Sequence, residues 1–399
     1  MPVSAAKVVM ISIFMIGGML LAGIIMQPEA SLQAWDVKES GFPANSSQEE
    51  RLAFLLQYAI LAPSSHNSQP WKFNVSEDKI SIYADETRWL SVADRDQREL
   101  YISLGCALEN LVVAAEHFSY ICNVTYFPGQ QGLVAEVRLK SSSQPPTDAN
   151  SLLFPAITSR QTNRHPYEDR LISAADLNAL YKAAANGSSP HQESLHRQSL
   201  PGQIQAPLPG AAEFLREDPA TRNRFRQLSV QADRVQYSDA DYKAELGHWL
   251  SLGGMGPTGL QAKAAQLAVL FLDMGPDQMA KDAQLINSTP YIGFVCTEKL
   301  DLNGMNDANQ TESIGTKISA LMAGRAFERF WLAATALGLS LHPMSQALEV
   351  QETKEQLSQL IMPTISGEMS QVQQTFRLGY AQAPGDHTPR RPLQDVLVS

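Results

Sequence analysis

Residues 62–71 read Ala-Pro-Ser-Ser-His-Asn-Ser-Gln-Pro-Trp, and this proline-bracketed loop restricts the fold around it more than any other stretch. A proline cannot continue a helix and restricts the residue before it, so a preceding helix must end at Pro63. A new extended segment can begin near Trp71. The small polar residues between the prolines predict a turn whose N–H and O–H groups could converge on one flat ligand, with Asn67 and Gln69 suited to amide-like edges. A helix C-cap followed by a plain turn explains these residues equally well.

Hydrophobic periodicity predicts regular elements on both sides of the proline-bracketed loop. Ser46 and Ser47 stand three residues before Glu49 and Glu50, a doubled capping-box pattern that begins a helix ending at Pro63. After the loop, the pattern predicts a hairpin over 71–82, a helix over 97–115, strands over 121–126 and 133–139, a helix capped at Ser173, strands over 291–296 and 375–380, and a long helix over 314–337.

Composition divides the chain into an N-terminal segment and two unequal halves. Residues 141–147 carry no apolar side chain and two prolines, which predicts a linker over 141–150 between a first half at 45–140 and a second half at 151–399. The second half contains an insertion at about 212–265 with helical periodicity around 225–235. The insertion is either a surface helical pair or a lid over a binding site.

The two predicted long helices share a weak internal repeat. Residues 104–115 and 323–334 both run from Gly through Ala, an apolar residue and Glu to a paired Ala. Such similarity between alanine-rich helices also arises by chance.

The N-terminal segment 1–44 predicts a membrane anchor and a polar tether. Residues 8–26 carry no charge, and as a helix they would span roughly 30 Å, the thickness of a bilayer core. Lys7 precedes this run while Glu29 and Asp36 follow it, which predicts a single-pass protein with its N-terminus in the cytoplasm and its body outside. The alternative is a cleaved signal peptide and a secreted or periplasmic body, although no A-x-A site follows.

The charge balance and the cysteines exclude several classes of protein. A net charge of −10 and the absence of a basic run argue against a nucleic-acid partner. Cys106, Cys122 and Cys296 are odd in number and widely spaced, so we interpret them as buried small side chains rather than a disulfide framework or metal ligands.

Three further patterns bear on binding. The G-x-G-x-x-G match at 254–259 lacks a preceding buried strand and has Pro257 where a phosphate-binding helix would start, so we predict a loop and not a dinucleotide site. Arg160, Thr162 and Arg164 alternate on an extended segment and would face one way, which suits an anionic headgroup and an adjacent polar ring; a solvated, salt-bridged segment is the alternative. The pair Arg390 and Arg391 lies between two prolines and is either a second basic site or a solvated tail.

Taken together and in order, these pieces resemble the FMN-dependent nitroreductase family, above all its single-chain, tandem, Acg-like branch. The likeness covers the chain from about Ser46 onward and rests on APSSHNSQPW, SRQTNRHPY, GRAFERFWLAATALGLSLHP and RLGYA. It implies an α+β, nitroreductase-like fold in which two tandem halves form a monomeric pseudo-dimer, here preceded by a transmembrane helix. The first half has the P-S-S-x-N loop without an arginine motif, and the second half has the arginine motif without the loop, so the resemblance implies one intact composite FMN site and one vestigial site.

The same resemblance assigns roles within that FMN site. It places Arg160 and Thr162 at the phosphate, with Arg390 or Arg391 as further phosphate partners. It places Arg164 near the N1/O2 edge of the isoalloxazine ring, and Pro63, Ser64, Ser65 and Asn67 along the ring from the opposite half. Hydride chemistry belongs to the flavin, so no protein acid, base, nucleophile or metal is expected, and His66, His248 and His342 are interpreted as structural.

The function implied is an FMN-dependent NAD(P)H oxidoreductase. The flavin would take reducing equivalents from NAD(P)H or another donor and pass them to a quinone, a nitro compound or a similar small acceptor. The alternative is a protein that binds or sequesters FMN under a closed lid with little turnover. Chemistry like that of iodotyrosine deiodinase is a more distant alternative, since the tandem architecture does not match.

Overall fold

The computed structural model describes residues 32–143, 148–185, 194–195, 211–298, 308–365 and 369–398. Its first sheet contains β1 (Trp71–Ser76), β2 (Lys79–Ala84), β3 (Tyr120–Tyr126), β4 (Leu133–Ser141) and the short β5 (Ser194–Leu195), in the order β1-β2-β4-β3-β5. The first four strands pair antiparallel, and β5 pairs parallel to β3.

The second sheet repeats the order of strands β1 to β4 of the first sheet. It contains β6 (Ala211–Arg216), β7 (Tyr291–Glu298), β8 (Ser340–Pro343) and β9 (Met369–Gly379), in the antiparallel order β6-β7-β9-β8. Where the first sheet has the tight β1–β2 turn, the second has an insertion of four helices between β6 and β7. The mixed helix-and-sheet class predicted from the sequence is confirmed.

Eleven α-helices occur within the described residues. They are α1 (Gln48–Ala59), α2 (Arg98–His117), α3 (Asp148–Ser159), α4 (Ala174–Ala185), α5 (Pro219–Ser238), α6 (Ala240–Ser251), α7 (Gly259–Phe271), α8 (Gly275–Asn287), α9 (Ala308–Ala336), α10 (Gln346–Glu349) and α11 (Gln351–Ile361). The capping box predicted at the start of α1 is present, with Ser47 and Glu50 bonded reciprocally. Helix α3 begins inside the predicted linker, and α5 to α8 form a larger helical insertion than 212–265.

The two long helices α2 and α9 cross at the centre of the molecule, between the sheets. A Cβ placed on Gly324 would lie 2.1 Å from the carbonyl oxygen of Ile102, and one on Gly105 would lie 2.2 Å from that of Leu321. Only glycine allows the two backbones to approach this closely. The glycines of the internal repeat therefore meet at one crossing point.

The C-terminal tail returns to the first sheet. The amide of Phe73 donates to the carbonyl oxygen of Val396 (2.7 Å), and the amide of Val398 donates to that of Phe73 (2.8 Å), which extends the sheet beyond β1. This return brings Arg390 and Arg391 to the proline-bracketed loop more than 300 residues earlier in the chain.

The predicted membrane location needs correction. Over the ranges described, no helix has both the length and the apolar composition required to cross a bilayer. That finding overturns the predicted single-pass topology with the body outside the cytoplasm, and the predicted anchor at 8–26 itself lies outside the described residues. The predicted tether is also partly structured, because Phe42 stacks on Phe118 at 4.3 Å between ring centroids.

Candidate functional site

A cavity of about 830 Å³ lies between the proline-bracketed loop, the central helices and the helical insertion. Eight of the nine residues predicted to bind a ligand line it: Pro63, Ser64, Ser65, Asn67, Arg160, Thr162, Arg164 and Arg390. Its volume falls in the range of about 300–1,000 Å³ that is typical of small-molecule sites. The structure therefore brings together two motifs that lie almost 100 residues apart, with the C-terminal arginine.

At one end of the cavity, Arg160 and Arg390 form the core of a cationic pocket. Their guanidinium groups both donate to the carbonyl oxygen of Leu61, at 2.8 and 3.1 Å, and their side chains are 2% and 3% exposed. Arg390 also donates to the hydroxyl of Thr388 at 2.9 Å. We call Arg160, Arg390, His387 and Thr388 the anion hole.

The positive charges of Arg160 and Arg390 lie close together and are buried, so a negatively charged group bound between them would be stabilised. Burial, followed by the nearby charge of Arg160, lowers the pKa of Arg390 to about 9. The Nε–H of Arg390 is buried and lacks a hydrogen-bond partner in the described part of the chain. A phosphate group, with several acceptor oxygens and negative charge, matches these donors.

Glu328 of α9 lies behind the anion hole and supplies part of the missing negative charge. Its Oε1 is 3.2 Å from Nε of Arg160, and the residue is fully buried. Burial raises the pKa of Glu328 to about 7, against the opposing effect of Arg160 and Arg390. The carboxyl therefore changes charge near neutral pH.

This titration predicts a pH-dependent affinity for anions. Sulfate keeps its charge between pH 6 and pH 8, Arg390 stays protonated there, and the pKa of His387, lowered by burial to about 4, keeps that imidazole neutral. As the pH rises through about 7, Glu328 ionises and competes with sulfate for Arg160. We expect sulfate affinity of the ligand-free protein, measured by calorimetry, to fall severalfold from pH 6 to pH 8. Glu328→Gln should flatten that slope, and equal slopes in both proteins would contradict the assignment.

The proline-bracketed loop is held in its shape by its own polar groups. His66, Asn67 and Gln69 adopt positive φ angles of 49°, 52° and 51°. The amide of Gln69 donates to the hydroxyl of Ser64 at 2.9 Å, and the hydroxyl of Ser65 donates to Glu99. Ser64 and Ser65 thus line the cavity, but part of their hydrogen-bonding capacity is already used within the protein.

Asn67 joins three parts of the chain. Its Nδ2 donates to the carbonyl oxygens of Gly254 (2.7 Å) and Pro389 (2.8 Å), and its Oδ1 accepts from Arg390 (3.1 Å). Gly254 belongs to the turn between α6 and α7. The prediction that the G-x-G-x-x-G match is a loop is therefore confirmed for residues 254–258, and α7 begins at Gly259. Asn67 therefore fastens the insertion and the C-terminal tail to the proline-bracketed loop.

Arg164 and His342 occupy the cavity away from the anion hole. Arg164 is exposed to solvent and makes no hydrogen bond or ion pair to the part of the chain that the structure describes, although desolvation by the surrounding cavity wall lowers its pKa. The Nδ1 of His342 lies 3.0 and 3.2 Å from two guanidinium nitrogens of Arg377, so the imidazole carries its proton on Nε2. Burial holds the pKa of His342 well below its usual value, so the ring is a neutral donor in the cavity wall.

Arg391 is the one predicted ligand-binding residue that the structure places elsewhere. It does not line the cavity. Its amide and its guanidinium donate to the side chain and the backbone of Gln69, at 2.8 and 3.0 Å, and it pairs with Asp85 at 3.5 Å. Arg391 thus supports the proline-bracketed loop from outside.

Sequence reasoning missed several cavity residues. Trp35, Glu99, Trp331, His387 and Thr388 all line the cavity, as do residues of the insertion such as Asp233, Tyr242, Met255 and Asp282. Trp35 and His387 do not belong to a regular pattern of apolar residues, so nothing in the sequence indicated that they line a cavity. The arginine motif at 160–164 and the Arg390–Arg391 pair indicate a cationic pocket, and the repeat motif is the one signal for Glu328 behind it.

Comparison with known proteins gives relatives over most of the chain. No protein-family model matches. A provisionally named NAD(P)H nitroreductase of Mycobacterium tuberculosis, Rv3131, is 24% identical over 355 residues, 87% of this chain and 91% of the relative. A second provisionally named NAD(P)H nitroreductase of that species, Acg, is 23% identical over 86% of this chain and 93% of its own length.

Solved structures give weaker likenesses. A BluB-like flavoprotein from Clostridium difficile aligns at 15% identity with a TM-score of 0.38, over 62% of this chain and 98% of that chain. The FMN-dependent nitroreductase NfnB from Mycobacterium smegmatis, solved in complex with NADPH, aligns at 14% identity with a TM-score of 0.33, over 62% of this chain and 97% of that chain.

Proposed function

We propose that this chain, a relative of the provisionally named NAD(P)H nitroreductases of M. tuberculosis, is an FMN-dependent oxidoreductase of the nitroreductase type. It takes reducing equivalents from NAD(P)H or another donor and passes them to a quinone, a nitro compound or a similar small acceptor. The resemblance inferred from the motifs is confirmed by these relatives. The observation that carries the proposal is the meeting of Arg160, Thr162, Arg164 and Arg390 with the proline-bracketed loop around one cavity.

The cavity suits the two chemically different ends of FMN. The anion hole offers guanidinium and hydroxyl donors, with an unused Nε–H on Arg390, to a terminal phosphate. The rest of the cavity offers Arg164, apolar side chains and the proline-bracketed loop, whose Asn67 reaches Arg390, to a planar ring. We therefore place the phosphate at Arg160 and Arg390, with Thr162 nearby, and the ring beside Arg164 and residues 63–67.

The protein's part in the reaction follows from these positions. Bound FMN supplies the hydride chemistry, so the chain needs no nucleophile of its own. Arg164, which has no hydrogen-bond or ion-pair partner among the described residues, presents a cation to the ring edge, where added electrons place negative charge. The neutral imidazole of His342 offers a hydrogen-bond donor in the same wall. Residues of the insertion line one side of the cavity and would shield a bound flavin from water on that side.

We further propose that the chain is a fused pseudo-dimer with one working site, divided near 141–150. The shared strand order and the glycine crossing of α2 and α9 support this division. In the repeat, Glu109 corresponds to Glu328. Glu109 accepts from Arg325 and Arg329, at 2.9 and 2.8 Å, so the carboxyl that corresponds to Glu328 is paired with two arginines of α9. The stretch at 186–191, where the second half lacks the P-S-S-x-N loop, lies outside the described residues.

The test is the visible spectrum of the purified body, expressed from residue 27 onward so that Trp35 is retained. We expect yellow protein with about one FMN per chain, which anaerobic NADH or NADPH bleaches and a quinone or nitro compound restores. Yellow protein that resists every donor would favour FMN sequestration, which the contact of the insertion with Asn67 also suits. Colourless protein that cannot be reconstituted with FMN would refute both flavin functions.

A further inference from the structure

The N-terminal segment contributes an aromatic wall to the anion hole. Trp35 lies in a short 3₁₀ helix, Leu32–Asp36, and lines the cavity. Its ring stacks on His387, with 3.8 Å between ring centroids and 15° between planes. The guanidinium carbon of Arg390 lies 4.7 Å from the centre of the Trp35 ring.

A hydrogen bond fixes the orientation of this ring. The Nε1–H of Trp35 donates to the carbonyl oxygen of Thr388 at 2.9 Å. Trp35 therefore contacts three consecutive parts of the anion hole at once: His387 by stacking, Thr388 by its backbone and Arg390 through its π face. Contacts this numerous hold the ring as a wall of the pocket rather than as a loose surface side chain.

A wall at this position limits what the anion hole can accept. The pocket has donors for the oxygens of a single terminal phosphate, and the Trp35–His387 stack lies against Arg390, with the guanidinium carbon 4.7 Å from the centre of the indole. A phosphate held by Arg390 would therefore have this stack as a wall. A phosphate that carries a further group, such as the adenosine monophosphate part of FAD, would have to displace that stack. The flavin without a phosphate would leave Arg160 and Arg390 without a counter-ion.

We propose that Trp35 is a specificity-determining and retention residue, which closes the anion hole around a terminal phosphate monoester and excludes flavins extended beyond the phosphate. The inference rests on the proposed FMN site, but it assigns a new task to a segment that the sequence marks as a tether. It also predicts that dissociation of FMN requires Trp35 to swing away from His387.

The experiment compares Trp35→Ala and Trp35→Phe with the parent protein, using FMN fluorescence to measure the dissociation rate and the affinities for FMN and FAD. We expect Trp35→Ala to raise the FMN dissociation rate at least tenfold and to reduce the preference for FMN over FAD by a similar factor. Trp35→Phe keeps an aromatic face without the Nε1–H and should fall between. Trp89→Ala is the matched control, since Trp89 bonds to the backbone of Asp94 and does not line the cavity.

Sulfate binding separates this inference from the proposed function. If the parent protein binds no flavin but Trp35→Ala weakens its sulfate binding at least severalfold, the closing role of Trp35 stands and the FMN function falls. If FMN binds and Trp35→Ala leaves both the dissociation rate and the FAD discrimination unchanged, the role of Trp35 is refuted and the FMN function stands. Should Trp35→Ala fail to fold, His387→Ala removes the stacking partner and must raise the dissociation rate in the same way.

Discussion

Replacement of Arg160 by methionine should weaken FMN binding by at least the roughly 1.5–3 kcal/mol typical of a hydrogen bond to a charged group. That corresponds to about a ten- to hundredfold rise in Kd. Methionine keeps an unbranched apolar stem beside Trp331, whose ring centre lies 4.4 Å from the guanidinium carbon of Arg160. The substitution therefore removes the charge while keeping much of the packing, and titration of the flavin-free protein with FMN measures the loss.

Arg160 has a second partner whose response must be separated from the loss of phosphate binding. Without Arg160, Glu328 is buried beside fewer positive charges, and its carboxyl will hold a proton to higher pH. The double variant Arg160→Met, Glu328→Gln removes this complication because neither side chain then titrates. If phosphate contact is the main role of Arg160, the double variant should bind FMN about as weakly as Arg160→Met alone.

A matched surface variant controls for the general loss of positive charge. Arg138 of β4 has a side chain that is 57% exposed and lies outside the cavity, so Arg138→Ala should keep the parent affinity. Riboflavin provides a ligand control, since it lacks the phosphate and Arg160→Met should not weaken its binding. Unchanged FMN affinity in Arg160→Met would remove this residue from the phosphate site.

The elements that the sequence predicted are those whose signals are local. The apolar spacing of 97–115 matches α2 at 98–117, and the strand predicted over 121–126 matches β3 at 120–126. The apolar residues that form the buried face of a helix or a hairpin lie close together in the sequence. Their regular spacing can therefore be recognised from the sequence alone. Short or weakly alternating strands such as β8 were missed, since four residues give too little pattern.

The site was predicted only in part because its contacts join distant residues. The motifs located Arg160 and the proline-bracketed loop, yet nothing near Trp35 indicates that its indole bonds to Thr388, 353 residues away. Arg390 and Arg391 look equivalent in sequence, but the return of the tail to β1 sends one into the cavity and the other to Gln69. Contacts between residues so far apart in the chain produce no regular spacing in the sequence, so they could not be predicted from it.

The glycine crossing of α2 and α9 carries the largest expected effect on stability. Alanine at position 324 would gain up to about 1 kcal/mol of helix propensity. The Cβ of that alanine, however, would lie 2.1 Å from a backbone oxygen of α2. A backbone atom cannot move away by rotating, as the end of a flexible side chain can. Overpacking commonly costs about 1–3 kcal/mol, and a clash between two backbones belongs at the upper end. We expect Gly324→Ala to lower the free energy of unfolding by about 2–3 kcal/mol, or to prevent folding.

Urea denaturation followed by circular dichroism measures this change, with Gly385→Ala as the matched control. A Cβ on Gly385 meets no atom within 4 Å, so that variant should unfold at the parent urea concentration. Failure of Gly324→Ala to fold, with a normal Gly385→Ala, agrees with the prediction. A Gly324→Ala protein as stable as the parent would show that α2 and α9 can separate at little cost.

Gly105→Ala offers a sharper form of the same prediction. Its Cβ would lie 2.2 Å from the backbone of Leu321 and 2.9 Å from the Cα of Gly324, so both substitutions push the same two helices apart. Once one alanine has separated the helices, the second alanine meets a wider gap. The double variant should therefore lose less free energy of unfolding than the sum of the losses in the two single variants. Ile102 and Cys106 of α2 face the cavity together with Phe327 and Trp331 of α9. A variant that still folds should therefore also bind FMN more weakly, because the helices that cross at the glycines also form the cavity wall.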